Sequence, residues 1–221
     1  MINLPTGTHP CKCTRKRHKP KLVVLTGGPG GGKTAILEMA RRYFCPHVVL
    51  LPEAASIVFQ GGFPRIPNDA GRRAAQHSIF AIQREMENLA SELDESALIL
   101  CDRGTVDGAA YWPGSPRGFF AHHGTSLQAE IDRYAAVIHV ETASAEAYLQ
   151  EGIRLEHVAE AKQIDARLRE LWDRHPLRYV VSSATNFLDK ATLALELVRA
   201  QIPHCCQTHP HIPTNTVKKS T

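Results

Sequence analysis

The chain has 221 residues, 43% of them hydrophobic, and its 26 Lys and Arg against 22 Asp and Glu give a formal charge of +4. This length and apolar content suit one domain of moderate size with a real core, and they exclude a small scaffold that needs disulfide staples. Six of the basic residues fall in 1–21 and two in 203–221, stretches without Asp or Glu; the remaining 18 face all 22 acids, so a nucleic-acid-binding core is excluded.

Residues 1–20 are polar and basic, with no apolar signal region, and no run reaches membrane-spanning length, so a cytoplasmic location is expected. This stretch reads as a solvated, disordered arm whose Lys12, Arg15, Lys16, Arg17 and Lys19 have the charge to touch an anionic lipid surface. Residues 203–221 read as a second disordered tail, leaving 21–202 as the folded domain. Each tail holds a Cys/His group, His9, Cys11, Cys13 and His18 at one end and His204, Cys205, Cys206, His209 and His211 at the other. Neither shows the C-x2-C spacing of zinc sites, so no metal is predicted there, and Cys45 and Cys101 read as buried reduced thiols.

Along the chain, apolar runs alternate with helical patterns. KLVVLTG (21–27) reads as a buried strand and 33–44 as a helix; HVVLLPE (47–53) is a second strand, followed by a short helix that stops at Gly61-Gly62. Asp69 caps a long helix over 70–93, in which Ala75, Ile79, Ile82, Met86, Leu89 and Leu93 mark the expected buried face. SALILCD (96–102) is a third strand, and the Gly/Pro/aromatic stretch 107–124, with Tyr111, Trp112, Phe119 and Phe120, suits either a lid over an acceptor or a packed structural loop. His122 and His123 read as exposed. A fourth strand at 135–141, helices at 143–154 and 156–174, a fifth strand at 177–183 and a closing helix at 187–201 complete the pattern. The alternation predicts a three-layer α/β domain on a parallel sheet.

GGPGGGKT fits G-x-x-x-x-G-K-[ST] with Gly27, Gly32, Lys33 and Thr34, between a buried strand and a helix as that phosphate loop requires. Glycines Gly28, Gly30, Gly31 and Gly32 allow backbone N–H groups to turn around a β-phosphate, Lys33 supplies charge to the β and γ oxygens, and Thr34 a hydroxyl for Mg2+. The same run spells G-x-G-x-x-A, with Glu53 placed like a dinucleotide-binding acid. A Lys-Thr pair has no role in that fingerprint, so ATP or GTP with Mg2+ is the expected ligand.

Asp102 ends the third strand where a Walker-B acid holds magnesium; its alternative is a cap or ion pair. Arg103 follows where motor ATPases place a water-activating Glu, which disfavours a stand-alone hydrolase. Glu53 ends the second strand at the same edge, either as a base for an acceptor hydroxyl or as a helix cap. Arg103, Arg154 and the Arg72-Arg73 pair are the candidate cations for a transferring phosphoryl group.

Together, GGPGGGKT, PEAA (52–55), GGFPR (61–65), CDRGTVDGAAYW (101–112), RYAAVIHVET (133–142), the Y-x5-R-x-E spacing of Tyr148, Arg154 and Glu156, and WDRHP (172–176) resemble the NadR-like AAA-type P-loop family. That family groups a nicotinamide riboside kinase domain with an insect photoreceptor-trafficking, GTP-binding protein. The resemblance covers about residues 21–190. It implies a nucleoside/nucleotide-kinase-like fold, with Lys33, Thr34, Asp102 and Arg103 at the phosphates and metal, Arg154 on a lid, and Glu53 as the acid after the second strand. It also implies one of two functions: a kinase passing a γ-phosphate to a small-molecule acceptor, or a nucleotide-dependent protein that binds a lipid or protein partner.

Overall fold

Five short aliphatic runs form the central sheet: β1 (Lys21–Thr26), β2 (Val48–Leu51), β3 (Leu98–Asp102), β4 (Ala136–Val140) and β5 (Arg178–Val181). In the computed structural model, residues 4–15, 17–92, 95–142, 155–182 and 186–207 are described. The strands are all parallel in the order β2-β3-β1-β4-β5, with Leu25 beside Asp102 and Thr26 beside His139. This is the expected three-layer parallel sheet, and it puts the ends of β1, β2 and β3 along one edge.

Alternate strand residues supply the two faces. Val23, Leu25, Leu98, Leu100, Ala136 and Ile138 pack under α1 (Lys33–Tyr43) and the final helix, which runs Phe187–Arg199. Val24 and Val137 face the other layer, together with Leu168, Leu171 and Trp172 from the helix Leu155–Trp172. Between these lie α2 (Ala54–Gln60), α3 (Asp69–Glu92), α4 (Gly108–Tyr111), α5 (Pro116–His122) and α6 (Leu127–Ile131), so Leu155–Trp172 is α7 and Phe187–Arg199 is α8. β2, β3 and β4 are buried along their whole length and β1 from Val23 on, which is why they read as continuous apolar runs rather than alternating ones, while β5 at the sheet edge leaves Val180 exposed.

Three expectations change. In α3 the buried residues are Ala75, Gln83, Glu87 and Ala90, while Leu89 is 52% exposed. The face turned inward is shifted from the predicted stripe and partly polar, because it borders a water-accessible crevice. The stretch 107–124, left open between a lid and a packed loop, narrows to the packed alternative: it forms a 3₁₀ turn, α4 and α5, with Trp112, Phe119 and Phe120 buried in the core.

The third change is at the termini. Thr6 bridges Val49 antiparallel, Gly7 N–H donates to the Val48 carbonyl at 2.9 Å and Leu50 N–H to the Pro5 carbonyl at 2.8 Å. The first residues thus cover the outer edge of β2, satisfying a row of backbone groups that solvent would otherwise hold. Lys12, Arg15, Arg17 and Lys19 stay exposed on this segment. At the other end His204–Cys206 forms a 3₁₀ turn with Cys206 buried. Among the described residues, no helix is long and apolar enough to cross a membrane.

Candidate active site at the carboxyl edge of the sheet

The loop between β1 and α1 is shaped by what lies behind it. Gly27 has φ of 131°, and a Cβ there would stand 2.0 Å from the Val140 carbonyl oxygen; Gly32, with φ of 85°, is the N-cap of α1. Both positions need glycine, for backbone handedness and in the first case for space. Gly28 N–H donates to Asp165 Oδ1 at 2.7 Å, and His139 Nε2 lies 3.0 Å from the same oxygen. Burial works to raise the Asp165 carboxyl, but the His139 contact and the Gly28 N–H outweigh it and hold it below its ordinary value. Gly30, Gly31, Gly32, Lys33 and Thr34 line an open crevice, whereas Gly28 sits behind it, tied to α7.

Lys33 is buried, and its Nζ donates to the carbonyls of Gly27 at 2.9 Å and Gly28 at 2.8 Å. Burial and then Arg103 push its ammonium down to about 8, against the pull of Asp102, Asp107 and Glu53. An anion entering the loop would further favour the charged ammonium, which suits the site to phosphate. Asp102 ends β3 beside it. Its Oδ1 is buried with no hydrogen-bond partner among the described residues, and burial raises the carboxyl to about 6 even though Lys33 opposes the rise. A buried, unsatisfied carboxylate oxygen on a crevice that Thr34 also lines fits a hard divalent cation.

Arg103 has φ of 72°, the one non-glycine residue with positive φ among those described. That turn aims the guanidinium back across the sheet edge. Its Nε donates to Glu53 Oε1 at 2.7 Å, and its Nη1 to the Gly27 carbonyl at 3.2 Å and to Asp107 Oδ2 at 3.4 Å. Glu53 also accepts from Ser56 Oγ at 2.7 Å; burial favours its neutral form, but Arg103 and Ser56 prevail and keep it ionised. Glu53 is therefore the N-cap residue of α2 by position, yet its side chain serves Arg103 and Ser56 rather than capping the helix.

The structure thus brings Lys33, Thr34, Glu53, Asp102 and Arg103 to the wall of one crevice of about 1150 Å³. Arg72 lines it as well, while Arg73 is spent near Asp69 at 4.0 Å. Arg154 lies outside the described residues, as does Tyr148. The crevice continues from the phosphate loop past Gln76, Gln83 and Phe80 to Tyr111 and Arg167.

Four supporting acids and amides escape the sequence reading. Asp107 accepts from Thr26 Oγ1 at 2.6 Å and Trp172 Nε1 at 2.7 Å, which joins β1, α7 and the Arg103 loop. Asp165 holds the phosphate loop as described. Gln83 Nε2 donates to Glu87 Oε1 at 2.7 Å and to the Arg103 carbonyl at 3.2 Å, and Arg133 pairs with Glu87 at 2.7 Å. Three of them were signalled by a polar residue on or beside a helix's apolar stripe, Asp165 between Ala161 and Leu168, and Gln83 and Glu87 between Ile79 and Ala90; Asp107 had no such signal.

Comparison with known proteins agrees with this geometry. The model of a family described as an AAA domain matches residues 22–190. No curated protein matches the sequence significantly. Among solved structures, deoxyadenosine kinase from M. mycoides with bound dATP aligns at a TM-score of 0.53 and 12% identity, over 80% of this chain and 98% of that one. Thymidylate kinase from Candida albicans aligns at 0.55 and 13%, over 85% and 93% of the two chains. A NadR protein in complex with NR aligns at 0.59 and 15%, over 85% of this chain and 53% of that one. At such identities the likeness establishes a shared kinase-type α/β fold. With the family model spanning most of the chain and its phosphate loop built as described, the protein belongs to the AAA-domain family of P-loop proteins.

Proposed function

We propose that the protein is a phosphotransferase that moves the γ-phosphate of a magnesium-bound ATP or GTP to a hydroxyl of a small, nucleoside-sized acceptor. The observation that carries this reading is the extent of the crevice. At about 1150 Å³ it exceeds the roughly 300–1,000 Å³ of a pocket for one small ligand, and it runs unbroken from Lys33 to Tyr111. A switch or plain hydrolase needs only the donor half. The far half is lined by Phe59, Phe80 and Tyr111, flat faces suited to a ring, and the similar solved structures are two kinases and a NadR protein in complex with NR.

In this mechanism the phosphate-loop amides and Lys33 bind the β and γ oxygens, and Thr34 and Asp102 would hold a magnesium ion. When bound, that ion would supply positive charge against the phosphates. Glu53, ionised and fixed by Arg103 and Ser56, accepts a hydrogen bond from the acceptor hydroxyl and orients it. The hydroxyl oxygen bonds to the γ-phosphorus as the bond to the β-γ bridging oxygen breaks; the nucleoside diphosphate leaves and the proton passes to Glu53. A weakly basic carboxylate suffices, because a loose transition state releases the proton late. Arg103 and Arg167 stand along the wall as cations for the equatorial oxygens.

The test is γ-phosphate fate. Labelled ATP or GTP is incubated with the protein, Mg2+ and a pool of nucleosides, vitamins and inositol lipids, and the products are resolved by mass. A phosphorylated nucleoside-sized product is expected. Tight nucleotide binding with no transfer to any acceptor would overturn the kinase reading in favour of a nucleotide-dependent binding protein.

A further inference from the structure

At the opposite end of the sheet from the crevice, three stretches far apart in sequence bring five of the six cysteines together with two histidines. One group is Cys11, Cys45, His47 and Cys206, the other Cys13, His18, Cys205 and Cys206; within each, the sulfur and nitrogen atoms lie within 4.8 Å of one another. Cys206 belongs to both. We propose that these seven residues hold two zinc ions, each four-coordinate, with the Cys206 thiolate bridging them.

The separations are those of ligands already arranged around an ion. With Zn–S near 2.3 Å and Zn–N near 2.0–2.1 Å, tetrahedral geometry requires about 3.8 Å between two sulfurs and about 3.5 Å between sulfur and nitrogen. His18 Nε2 lies 3.5 Å from Cys13 Sγ, 3.7 Å from Cys205 Sγ and 3.5 Å from Cys206 Sγ, and the two adjacent sulfurs are 3.9 Å apart. In the second group His47 Nδ1 lies 3.8 Å from Cys45 Sγ and 3.5 Å from Cys206 Sγ.

Metal-free thiols explain this cluster poorly. One imidazole nitrogen has a single lone pair, so His18 Nε2 can accept from only one of the three thiols that crowd it. A disulfide would need sulfurs near 2.05 Å, and all six cysteines are free. The ligand count is also complete: seven side chains with one shared give two sets of four, with no position left for a substrate, as in a structural site. Soft sulfur and imidazole donors select zinc over magnesium or calcium. Five thiolates and two divalent ions leave one negative charge, and the exposed Lys12 and Arg15 adjoin Cys11 and Cys13.

The centre would fasten the first twenty residues and the segment after α8 to the loop between α1 and β2. The missing C-x2-C spacing does not count against it, because the fold rather than local sequence pairs C-x-C, C-x-H and C-C.

The test is metal content of the full chain, purified reduced and without chelator, followed by X-ray absorption. Two zinc ions per chain in a sulfur-rich, nitrogen-containing shell are expected. Cys13→Ser and Cys45→Ser should each retain one ion, Cys206→Ser neither, and Cys101→Ser both. Should a variant fail to fold, cobalt titration of the metal-free wild type gives the same count, with tetrahedral thiolate charge-transfer bands at two equivalents. Fewer than two ions per chain in the wild type, oxygen-dominated coordination, or disulfides found by mass would each overturn the proposal.

Discussion

Arg103 is where side-chain chemistry and backbone strain can be separated. A non-glycine residue at φ of 72° carries about 1–2 kcal/mol of strain, which the contacts with Glu53, Asp107 and Gly27 offset. Arg103→Ala and Arg103→Gly both remove those contacts, but only glycine relieves the backbone. The glycine variant should therefore be more stable by about 1 kcal/mol in urea unfolding, while both lose phosphate transfer; equal stabilities would mean that the turn is unstrained. Asp102 tests the metal site in the opposite sense. Its buried carboxylate, with Oδ1 unpartnered among the described residues, costs stability that magnesium would recover, so Asp102→Asn should stabilise the apo protein by on the order of 1–3 kcal/mol, read as a higher unfolding midpoint, and weaken magnesium-dependent nucleotide binding at least tenfold. A lower midpoint with intact magnesium dependence would make the residue purely structural. Lys33→Ala should abolish nucleotide binding in a folded protein, as equilibrium titration would show. At this scale Lys33, Thr34 and Asp102 were legible because a local motif or a strand end fixes them. Asp107 was not, because the partner that gives it meaning, Trp172, is 65 residues away.

Among the elements, α7 does more than its apolar stripe suggests. It delivers Leu168 and Trp172 to the core, and it also delivers Asp165 to the back of the phosphate loop. The Asp165 carboxyl is held below its ordinary 3.8, so its contribution is complete above that pH and is lost as pH falls through the lowered value. The protection factor of the Gly28 amide should therefore fall in acid before the molecule unfolds, whereas Asp165→Ala should show low protection across the whole range. Acid-insensitive protection of Gly28 in the wild type would exclude this tether. The strands and helices were readable from periodicity because burial on two faces leaves a continuous apolar run. The inward face of α3 was misplaced, because periodicity assumes an apolar neighbour, whereas Gln83 meets the crevice and Glu87 is buried against Arg133 and Tyr134.

For the whole molecule, the parallel three-layer sheet followed from alternating elements and the phosphate loop, but the strand order and the fate of the termini did not. Low hydrophobicity and like charge describe a chain with nothing to pack against, yet residues 5–9 find the unpaired edge of β2. Removing residues 1–10 deletes four backbone hydrogen bonds and leaves Cys11 in place; the expected loss is about 2–4 kcal/mol, read as a lower unfolding midpoint with rising light scattering. An unchanged midpoint would return the segment to the status of a free arm. The path of α7 carries one more consequence. Asp165 grips Gly28, Arg167 Nη1 donates to the Ala110 carbonyl on α4 at 3.3 Å, and Trp172 binds Asp107. One rod is thus bolted to the donor's cradle and to the acceptor's wall. If it shifts when the cradle fills, the two ligands are thermodynamically linked, and linkage is reciprocal: a non-hydrolysable triphosphate should change acceptor affinity by the same factor as the acceptor changes that of the triphosphate.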